Sequence, residues 1–244
     1  EEIEEVKRIR AQQRSSRRKH PFPFASIVGY TSAGKSTLMN RMAGTDLLAD
    51  AMPFATLDPV TRKVELEDGY ALFLTDTVGF IRNLPTHLVA AFQSTLEEVT
   101  YSDFVLHLVD VSNPAWEIQR DAVMETLRTL NAADKPMITV FNKIDAVEDR
   151  FLPRTLVAEF PGSVSISASK GTGMHDLMSA IVRQVKELLG DVKLLLPYDR
   201  QSVLQECYDF GRVHKVEYRE DGIYVEAELI EELRERLKGF AVVA

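Results

Sequence analysis

A glycine-rich run between an apolar strand and a helix constrains this chain more than any other feature. The run is Gly29-Tyr-Thr-Ser-Ala-Gly34-Lys35-Ser36, which matches the pattern G-x-x-x-x-G-K-[ST]. It follows the apolar, β-rich segment 24–28 and precedes a helical pattern over 35–43, the context that this motif requires. Its backbone N–H groups and the positive end of the helix would face an anion. The run therefore predicts a loop that binds the phosphates of a nucleoside triphosphate.

Short apolar runs alternate with longer segments of helical spacing from residue 22 onward, which indicates a parallel sheet covered by helices. The predicted strands are Phe24–Val28, Lys63–Leu66, Tyr70–Thr75, Phe104–Val109, Met137–Phe141 and Val164–Ser167. The predicted helices are Lys35–Ala43, Thr86–Val99, Pro114–Leu130 and Met174–Leu189. Asp68-Gly69 lies between two alternating runs and favours a hairpin with a tight type I′ turn. The fold class is therefore α/β, with a mostly parallel sheet and one antiparallel edge hairpin.

The pattern changes after Gly190, where six short elements follow in the order βαββαβ. They are strand Lys193–Leu196, helix Arg200–Phe210, strands Val213–Tyr218 and Ile223–Glu228, helix Leu229–Leu237 and strand Phe240–Val243. This order is typical of a small α+β, ferredoxin-like domain. We therefore expect a basic helical linker over residues 1–20, an α/β domain over 21–190 and a C-terminal ferredoxin-like domain over 191–244.

The charge of the chain is unevenly distributed. The net charge is −8, yet seven basic residues and no acidic residue lie within the thirteen positions from Lys7 to Lys19. This basic arm, residues 7–19, suits a polyanion such as RNA, although a solvated helix end or linker would look the same. A hydrophobic content of 45% excludes a disordered chain. The single cysteine, Cys207, suits a reducing compartment.

The base of the nucleotide is indicated by two segments that follow predicted strands. Asn142-Lys143-Ile144-Asp145 follows the strand that ends at Phe141, at the edge of an open α/β sheet where ligands bind. A carboxylate at Asp145 can accept hydrogen bonds from the N1–H and exocyclic amine of guanine, and adenine offers no such pair of donors. Ser167-Ala168-Ser169 would supply a backbone amide to the guanine carbonyl oxygen. These segments predict a guanine nucleotide.

Two further segments predict a metal site and a switch. Asp76-Thr77-Val78-Gly79 ends a predicted strand, so Asp76 suits a metal-side acid that acts through water and Gly79 suits a γ-phosphate sensor. We expect Ser36, Thr56 and water-bridged Asp76 to hold Mg²⁺, and Lys35, Thr56 and Gly79 to be catalytic. The full predicted GTP-binding set is Gly29, Tyr30, Thr31, Ser32, Ala33, Gly34, Lys35, Ser36, Thr37, Phe54, Ala55, Thr56, Leu57, Asp58, Asp76, Thr77, Val78, Gly79, Asn142, Lys143, Ile144, Asp145, Ser167, Ala168 and Ser169.

With these residues in place, the chain resembles the translation-factor-related GTPases and, among them, the HflX family. The resemblance rests on residues 28–38, on Phe54-Ala-Thr-Leu-Asp-Pro59 with Thr61-Arg62, and on Asp76-Thr-Val-Gly-Phe-Ile-Arg-Asn-Leu-Pro85. It implies a GTPase domain that hydrolyses GTP, and a protein that binds the large ribosomal subunit and splits stalled or idle ribosomes. We expect a cytoplasmic monomer that touches rRNA through the basic arm and has no DNA partner. No apolar run approaches the roughly 18 residues needed to cross a bilayer, so we also expect no integral membrane association. A peripheral membrane or organellar location stays open.

The chain departs from this family in two respects. Family members carry an N-terminal domain ahead of the basic helix, and because this chain starts at Glu1 rather than Met we expect a segment to be missing upstream. Many members also have Asn where Ser32 stands, and in related GTPases that Asn coordinates K⁺. Ser32 therefore argues against K⁺ stimulation here.

The residue after Gly79 is Phe80, where many GTPases have a Gln that orients the attacking water. We therefore expect slow GTP hydrolysis by the chain alone and stimulation by a partner. Two alternatives stay open: a nucleotide-gated module for RNA or ribosome assembly in which hydrolysis only resets the switch, and an ATPase or small-molecule kinase, which Asn142–Asp145 opposes. The five histidines show no metal-ligand spacing, and Cys207 is expected to be a packed thiol.

Overall fold

Six strands between residues 24 and 165 form one sheet in the computed structural model, which describes residues 22–44, 60–77, 79 and 98–242. They are β1 (Phe24–Gly29), β2 (Val60–Glu65), β3 (Ala71–Asp76), β4 (Phe104–Asp110), β5 (Met137–Asn142) and β6 (Val164–Ser165). Their order is β2-β3-β1-β4-β5-β6, and only the β2–β3 pair is antiparallel. The predicted parallel sheet with one antiparallel edge hairpin is confirmed.

Within the described ranges, helices of at least eight residues accompany this sheet: α1 (Lys35–Met42), α2 (Trp116–Thr129), α3 (Leu152–Glu159) and α4 (Met174–Leu188). Strands β1 and β4 lie at the centre and are buried almost throughout, because a parallel sheet with both faces covered exposes neither side of its inner strands. The carboxyl ends of β1, β3, β4 and β5 consequently meet at one edge of the sheet, as their parallel registers require.

The structure corrects three details of the predicted α/β domain. The register pairs Glu65 with Ala71, so residues 66–70 connect β2 and β3 through a 3₁₀ turn, and the predicted two-residue turn is wrong. Helix α3 was not predicted, because its only buried residue is Leu156 and its apolar pattern is therefore weak. The helix forms in the connection that the parallel strands β5 and β6 require. Strand β6 ends at Ser165 rather than Ser167.

The remaining elements form a second, antiparallel sheet. Strands β7 (Leu189–Leu196), β8 (Arg212–Arg219) and β9 (Gly222–Ile230) lie in the order β7-β9-β8, with helices α5 (Gln201–Phe210) and α6 (Glu231–Leu237). These elements follow the first five of the predicted order βαββαβ, with β9 between β7 and β8. The predicted last strand Phe240–Val243 is wrong over its described part, since a 3₁₀ turn ends at Phe240 and a single bridge joins Ala241 to Leu194.

The described residues divide into two compact units. One comprises residues 24–67 and 71–184, and the other contains residues 185–242 together with 22–23 and 68–70. The core of the second unit includes Cys207, which is fully buried among Leu and Val side chains, and burial raises the pKa of its thiol to about 11. The predicted packed thiol is confirmed.

Two predicted elements lie wholly or mostly outside the described residues. The basic arm and most of the predicted helix Thr86–Val99 lie outside the described residues, although residues 98–101 are helical. Among the residues that the structure describes, no helix combines the length and the apolar content needed to cross a bilayer.

Candidate functional site

The glycine-rich loop curves between β1 and α1 as the sequence predicts. A Cβ on Gly29 would lie 2.4 Å from the Leu108 carbonyl oxygen, so no side chain fits where β1 passes β4. Gly34 has a φ of +96°, and a Cβ there would lie 2.5 Å from the Asn142 side-chain nitrogen. Both positions thus require glycine. At Gly29 the reason is close packing, and at Gly34 it is close packing together with a left-handed backbone.

Lys35 begins α1 and lies inside the curve of this loop. Its side chain is buried, and its Nζ donates to the carbonyl oxygens of Gly29 and Tyr30 at 3.2 Å each. Burial lowers the pKa of the Lys35 ammonium to about 8, while the Asp76 carboxylate opposes that shift. Burial removes the water that would otherwise stabilise the charge of the Lys35 ammonium. An anion placed beside it would replace that stabilisation, so the position favours anion binding.

Ser36 and Asp76 bring oxygen atoms together beside that lysine. The Ser36 hydroxyl donates to Asp76 Oδ2 at 2.7 Å, and Asp76 is almost fully buried. The next residue, Thr77, donates from its hydroxyl to the Ile27 carbonyl at 2.7 Å, which fixes the chain as it leaves β3 against β1. Hydroxyl and carboxylate oxygens are ligands that suit Mg²⁺, so this pair fits a magnesium ion held with phosphate oxygens.

Gly79 lies against the same loop. A Cβ at this position would lie 2.9 Å from Lys35 Nζ and 3.0 Å from Thr31 Cα. The structure therefore places the predicted sensor position next to the buried ammonium. Three other predicted parts of the site, Phe54–Asp58 with its Thr56, Val78 and Phe80, lie outside the described residues.

Asn142 joins two loops that are far apart in the sequence. Its amide nitrogen donates to the Ala33 carbonyl at 2.8 Å, and its amide oxygen accepts from the Ala168 backbone N–H at 2.9 Å. The Asn142 side chain is buried, so both bonds are shielded from water. It thereby links the glycine-rich loop to the segment Ser167–Ser169, as required if one ligand contacts both.

Asp145 lies in a short 3₁₀ turn, Ile144–Ala146, directly after β5 and is exposed. The Ile144 N–H donates to the Ile166 carbonyl, which ties this turn to the chain that follows β6. Two backbone hydrogen bonds close the loop that follows β6. The Ser167 N–H donates to the Thr172 carbonyl oxygen at 3.0 Å, and the Gly171 N–H donates to the Ser167 carbonyl oxygen at 2.7 Å. We call residues 167–171 the base loop.

Lys143 has a partner that the sequence analysis missed. Its Nζ forms a salt bridge of 2.7 Å with Asp110 Oδ2, and Asp110 Oδ1 accepts from the N–H and the hydroxyl of Ser112. Asp110 ends β4 at the same edge of the sheet as Asn142, its partner in the β4–β5 register. The reasoning that identified Asn142, a polar residue after a buried apolar strand, would also have found Asp110.

This geometry agrees with what comparison with known proteins shows. Residues 24–143 match a family described as 50S ribosome-binding GTPase. The chain is 46% identical over 232 residues to GTPase HflX of Lacrimispora saccharolytica, a match that covers 95% of this chain and 54% of that protein. The chain belongs to the HflX family of GTPases. It is also 38% identical to the Escherichia coli HflX, over 90% of this chain and 52% of that one.

HflX relatives are about twice as long as this chain, which spans about half the length of the curated proteins it matches. A solved structure of a GTP-binding protein from Sulfolobus solfataricus in complex with GDP superimposes with a TM-score of 0.58 at 26% identity. The superposition covers 76% of this chain and 58% of that one.

One cluster in the second unit of this HflX-family chain was also missed. Asp191, His214 and Glu228 lie on three neighbouring strands, and their ligand atoms are within 4.8 Å of one another. His214 Nε2 lies 2.7 Å from Glu228 Oε1, which makes this a surface ion pair when the histidine is protonated. Spacing along the sequence does not reveal it, because the three residues meet only through strand pairing.

Proposed function

We propose that the chain binds GTP with Mg²⁺ and hydrolyses it to GDP and phosphate. The observation that supports this most directly is the buried Asn142 link, which brings the phosphate-binding motif and the base loop to the same edge of the sheet. GDP in the Sulfolobus solfataricus protein supports the choice of nucleotide. The desolvated Lys35 beside the loop supports the binding of phosphate charge.

The predicted phosphate, metal and base residues have separate roles in this proposal. The loop Gly29–Thr37 surrounds the phosphates, with Lys35 at the β- and γ-phosphates. Ser36 and Thr56 bind Mg²⁺, Asp76 acts on it through water, and Gly79 contacts the γ-phosphate. Asp145 accepts hydrogen bonds from the guanine edge, and a backbone N–H of Ser167–Ser169 donates to the guanine carbonyl oxygen. Bound Mg²⁺ would offset the negative charge that develops on the transferred phosphoryl group.

We further propose that the chain acts on the large ribosomal subunit, in the splitting, rescue or recycling of ribosomes. The description of the matched family supports ribosome association. The basic arm 7–19 would contact rRNA, since its charge suits a polyanion. Because Phe80 can neither donate to water nor accept from it, the partner would complete the catalytic site. Groups supplied by a partner raise phosphoryl-transfer rates by roughly 10³–10⁵.

The test is GTP turnover by the chain with and without purified large ribosomal subunits. Lys35→Ala serves as the blank, because it removes the ammonium inside the loop while its neighbours remain. Slow turnover that rises at least tenfold with subunits supports both proposals. Fast turnover without subunits would contradict the role given to Phe80. Nucleotide binding without any stimulation would contradict the proposal that this part of the protein is activated by the ribosome.

Base recognition has a separate test. Asp145→Asn replaces an acceptor with an amide whose NH₂ group can donate to the C2 carbonyl of xanthine. We expect this variant to lose affinity for GTP and gain affinity for xanthosine triphosphate. A variant that still prefers guanine nucleotides would refute the role of Asp145, whereas a wild-type chain that prefers adenine nucleotides would favour the ATPase and kinase alternatives.

A further inference from the structure

Arg41, in the last turn of α1, holds the base loop from the side of the phosphate-binding helix. Its Nε donates to the Ala168 carbonyl, and its Nη2 donates to the Ser169 carbonyl at 2.7 Å. A planar guanidinium can serve two neighbouring acceptors at once in a fixed geometry, which a lysine ammonium cannot reproduce. Arg41 therefore connects α1 to residues 127 and 128 positions further along the chain.

The two bonds determine which way the base loop presents its N–H groups. In a trans peptide the C=O and the following N–H point in opposite directions. Because the Ala168 and Ser169 carbonyls point toward Arg41, the N–H groups of Ser169 and Lys170 point away from it. The Lys170 N–H donates to the Ser167 hydroxyl at 3.1 Å. The Ser169 N–H is then the donor whose direction Arg41 sets.

Ala168 is held on both sides. Its N–H donates to Asn142 and its C=O accepts from Arg41. Asn142 keeps the base loop against the glycine-rich loop, but it does not constrain the peptide that follows Ala168. Arg41 supplies that second constraint.

The base loop also leaves room for the guanidinium. Gly171 has a φ of +81°, and a Cβ there would lie 2.9 Å from Arg41 Nη1 and 3.5 Å from its Cζ. The Arg41 guanidinium thus lies beside a loop position without a side chain. Arg41 is nevertheless exposed, so water competes for its bonds and its effect is moderate.

We propose that Arg41 is a positioning residue that sets guanine specificity, by aiming the Ser169 N–H at the carbonyl oxygen on C6 of the base. This inference rests on the proposed function of the base loop. A donor fixed in this direction favours bases with an oxygen at C6 and opposes bases with an amino group there. Asp145 contacts other atoms of the base, the N1–H and the 2-amino group, so the two contributions are separable with nucleotide analogues.

The experiment measures Kd values of the full 244-residue chain and of Arg41→Gln for three nucleotides by calorimetry or fluorescence. GDP and IDP carry the C6 oxygen, and IDP lacks the 2-amino group that Asp145 contacts. The diphosphate of 2,6-diaminopurine riboside keeps the 2-amino group but has an amine at C6 and no proton on N1. It therefore loses one Asp145 contact equally in wild type and variant, and only the ratio of their Kd values reports on Arg41. We expect Arg41→Gln to raise the Kd values of GDP and IDP by about threefold to tenfold, and to raise the Kd of the diaminopurine nucleotide by less than about twofold.

A matched control is Arg128→Gln, which changes another exposed arginine in the last turn of a helix of the same unit. It should leave all three Kd values unchanged. Arg41→Lys keeps the charge without the two-donor geometry, so it should resemble Arg41→Gln. Equal losses for all three nucleotides, or no loss for any, would overturn the inference. A further titration of the wild-type chain with ADP separates the two proposals, because a wild-type chain that does not prefer GDP to ADP would refute the proposed function.

Discussion

Asn142 offers the sharpest test of how the site is assembled, because one buried side chain satisfies two backbone groups. Asn142→Ala removes the donor to the Ala33 carbonyl and the acceptor of the Ala168 N–H, and both of these residues are about 1% exposed. A buried polar group without a partner costs about 1–3 kcal/mol. With two such groups, we expect Asn142→Ala to lower the free energy of unfolding of the first unit by about 2–6 kcal/mol.

Asn142→Asp separates the two bonds. One carboxylate oxygen can still accept from Ala168, but the other replaces an NH₂ group that lies 2.8 Å from the Ala33 carbonyl oxygen. Two acceptors then face each other in a buried site, which disfavours the ionised form and raises the pKa of the introduced carboxyl above its unfolded value. At pH 8 this variant should be less stable than Asn142→Ala, because it buries a charge without a partner.

Acid should partly rescue Asn142→Asp. The native state binds the proton at a higher pH than the unfolded state does, so stability relative to wild type rises as pH falls through the native pKa. The gain stops near the unfolded value of about 3.9. Once protonated, the carboxyl can donate to the Ala33 carbonyl. Asn142→Ala has no such group and should show the same deficit at pH 5 and pH 8.

The fluorescence of Trp116 can be used to measure the free energy of unfolding of the first unit. Trp116 is the only tryptophan of the chain, and its ring meets that of Phe141 edge to face at 5.9 Å, next to Asn142. Its fluorescence during urea unfolding therefore reports on the first unit. A cost below about 1 kcal/mol for Asn142→Ala, or an Asn142→Asp deficit independent of pH, would refute the reasoning.

Three other properties of single residues can be measured. Gly34→Ala should weaken GDP binding at least tenfold by equilibrium titration, because its φ of +96° and the 2.5 Å approach to Asn142 leave no place for a methyl group. Burial, and secondarily Arg120, lower the pKa of His107 to about 4. Wild-type stability should thus fall as pH drops from about 6.5 toward 4, by up to about 1.4 kcal/mol per unit, and urea titrations of His107→Leu should show a flatter profile. Cys207, with its raised pKa and full burial, should resist Ellman's reagent at pH 8 until urea unfolds the second unit; rapid labelling of the native protein would contradict its placement.

The amino-acid sequence was sufficient where a local pattern carries the physical constraint. Gly29 and Gly34 are required by backbone approach and left-handed φ, and that requirement can be read from a short motif with a strand before it and a helix after it. Buried strands such as β4 and β5 are continuous apolar runs, so their bounds were predicted to within one residue. The antiparallel edge pair was likewise predictable, because alternating residues flank a turn.

Weak local patterns and pairings between distant residues were decided by tertiary structure. Helix α3 buries one residue and is required by the crossover between β5 and β6, a constraint that its own residues do not express. Over its described residues, 240–242, the last predicted strand is reduced to one bridge at Ala241, although these residues fit an apolar strand.

The residues of the candidate site also divide into those that a local pattern identifies and those that only tertiary contacts identify. The motifs around Lys35, Asp76 and Asn142 could be recognised because each residue follows or begins a regular element. Arg41 could not, because an exposed cation in the last turn of a helix is common and only the folded chain brings the Ala168 and Ser169 carbonyls to it. Sequence determined which chemical groups this protein carries at the ends of its strands. Tertiary structure decided which of them share a hydrogen bond, because such contacts depend on chain segments more than one hundred residues apart.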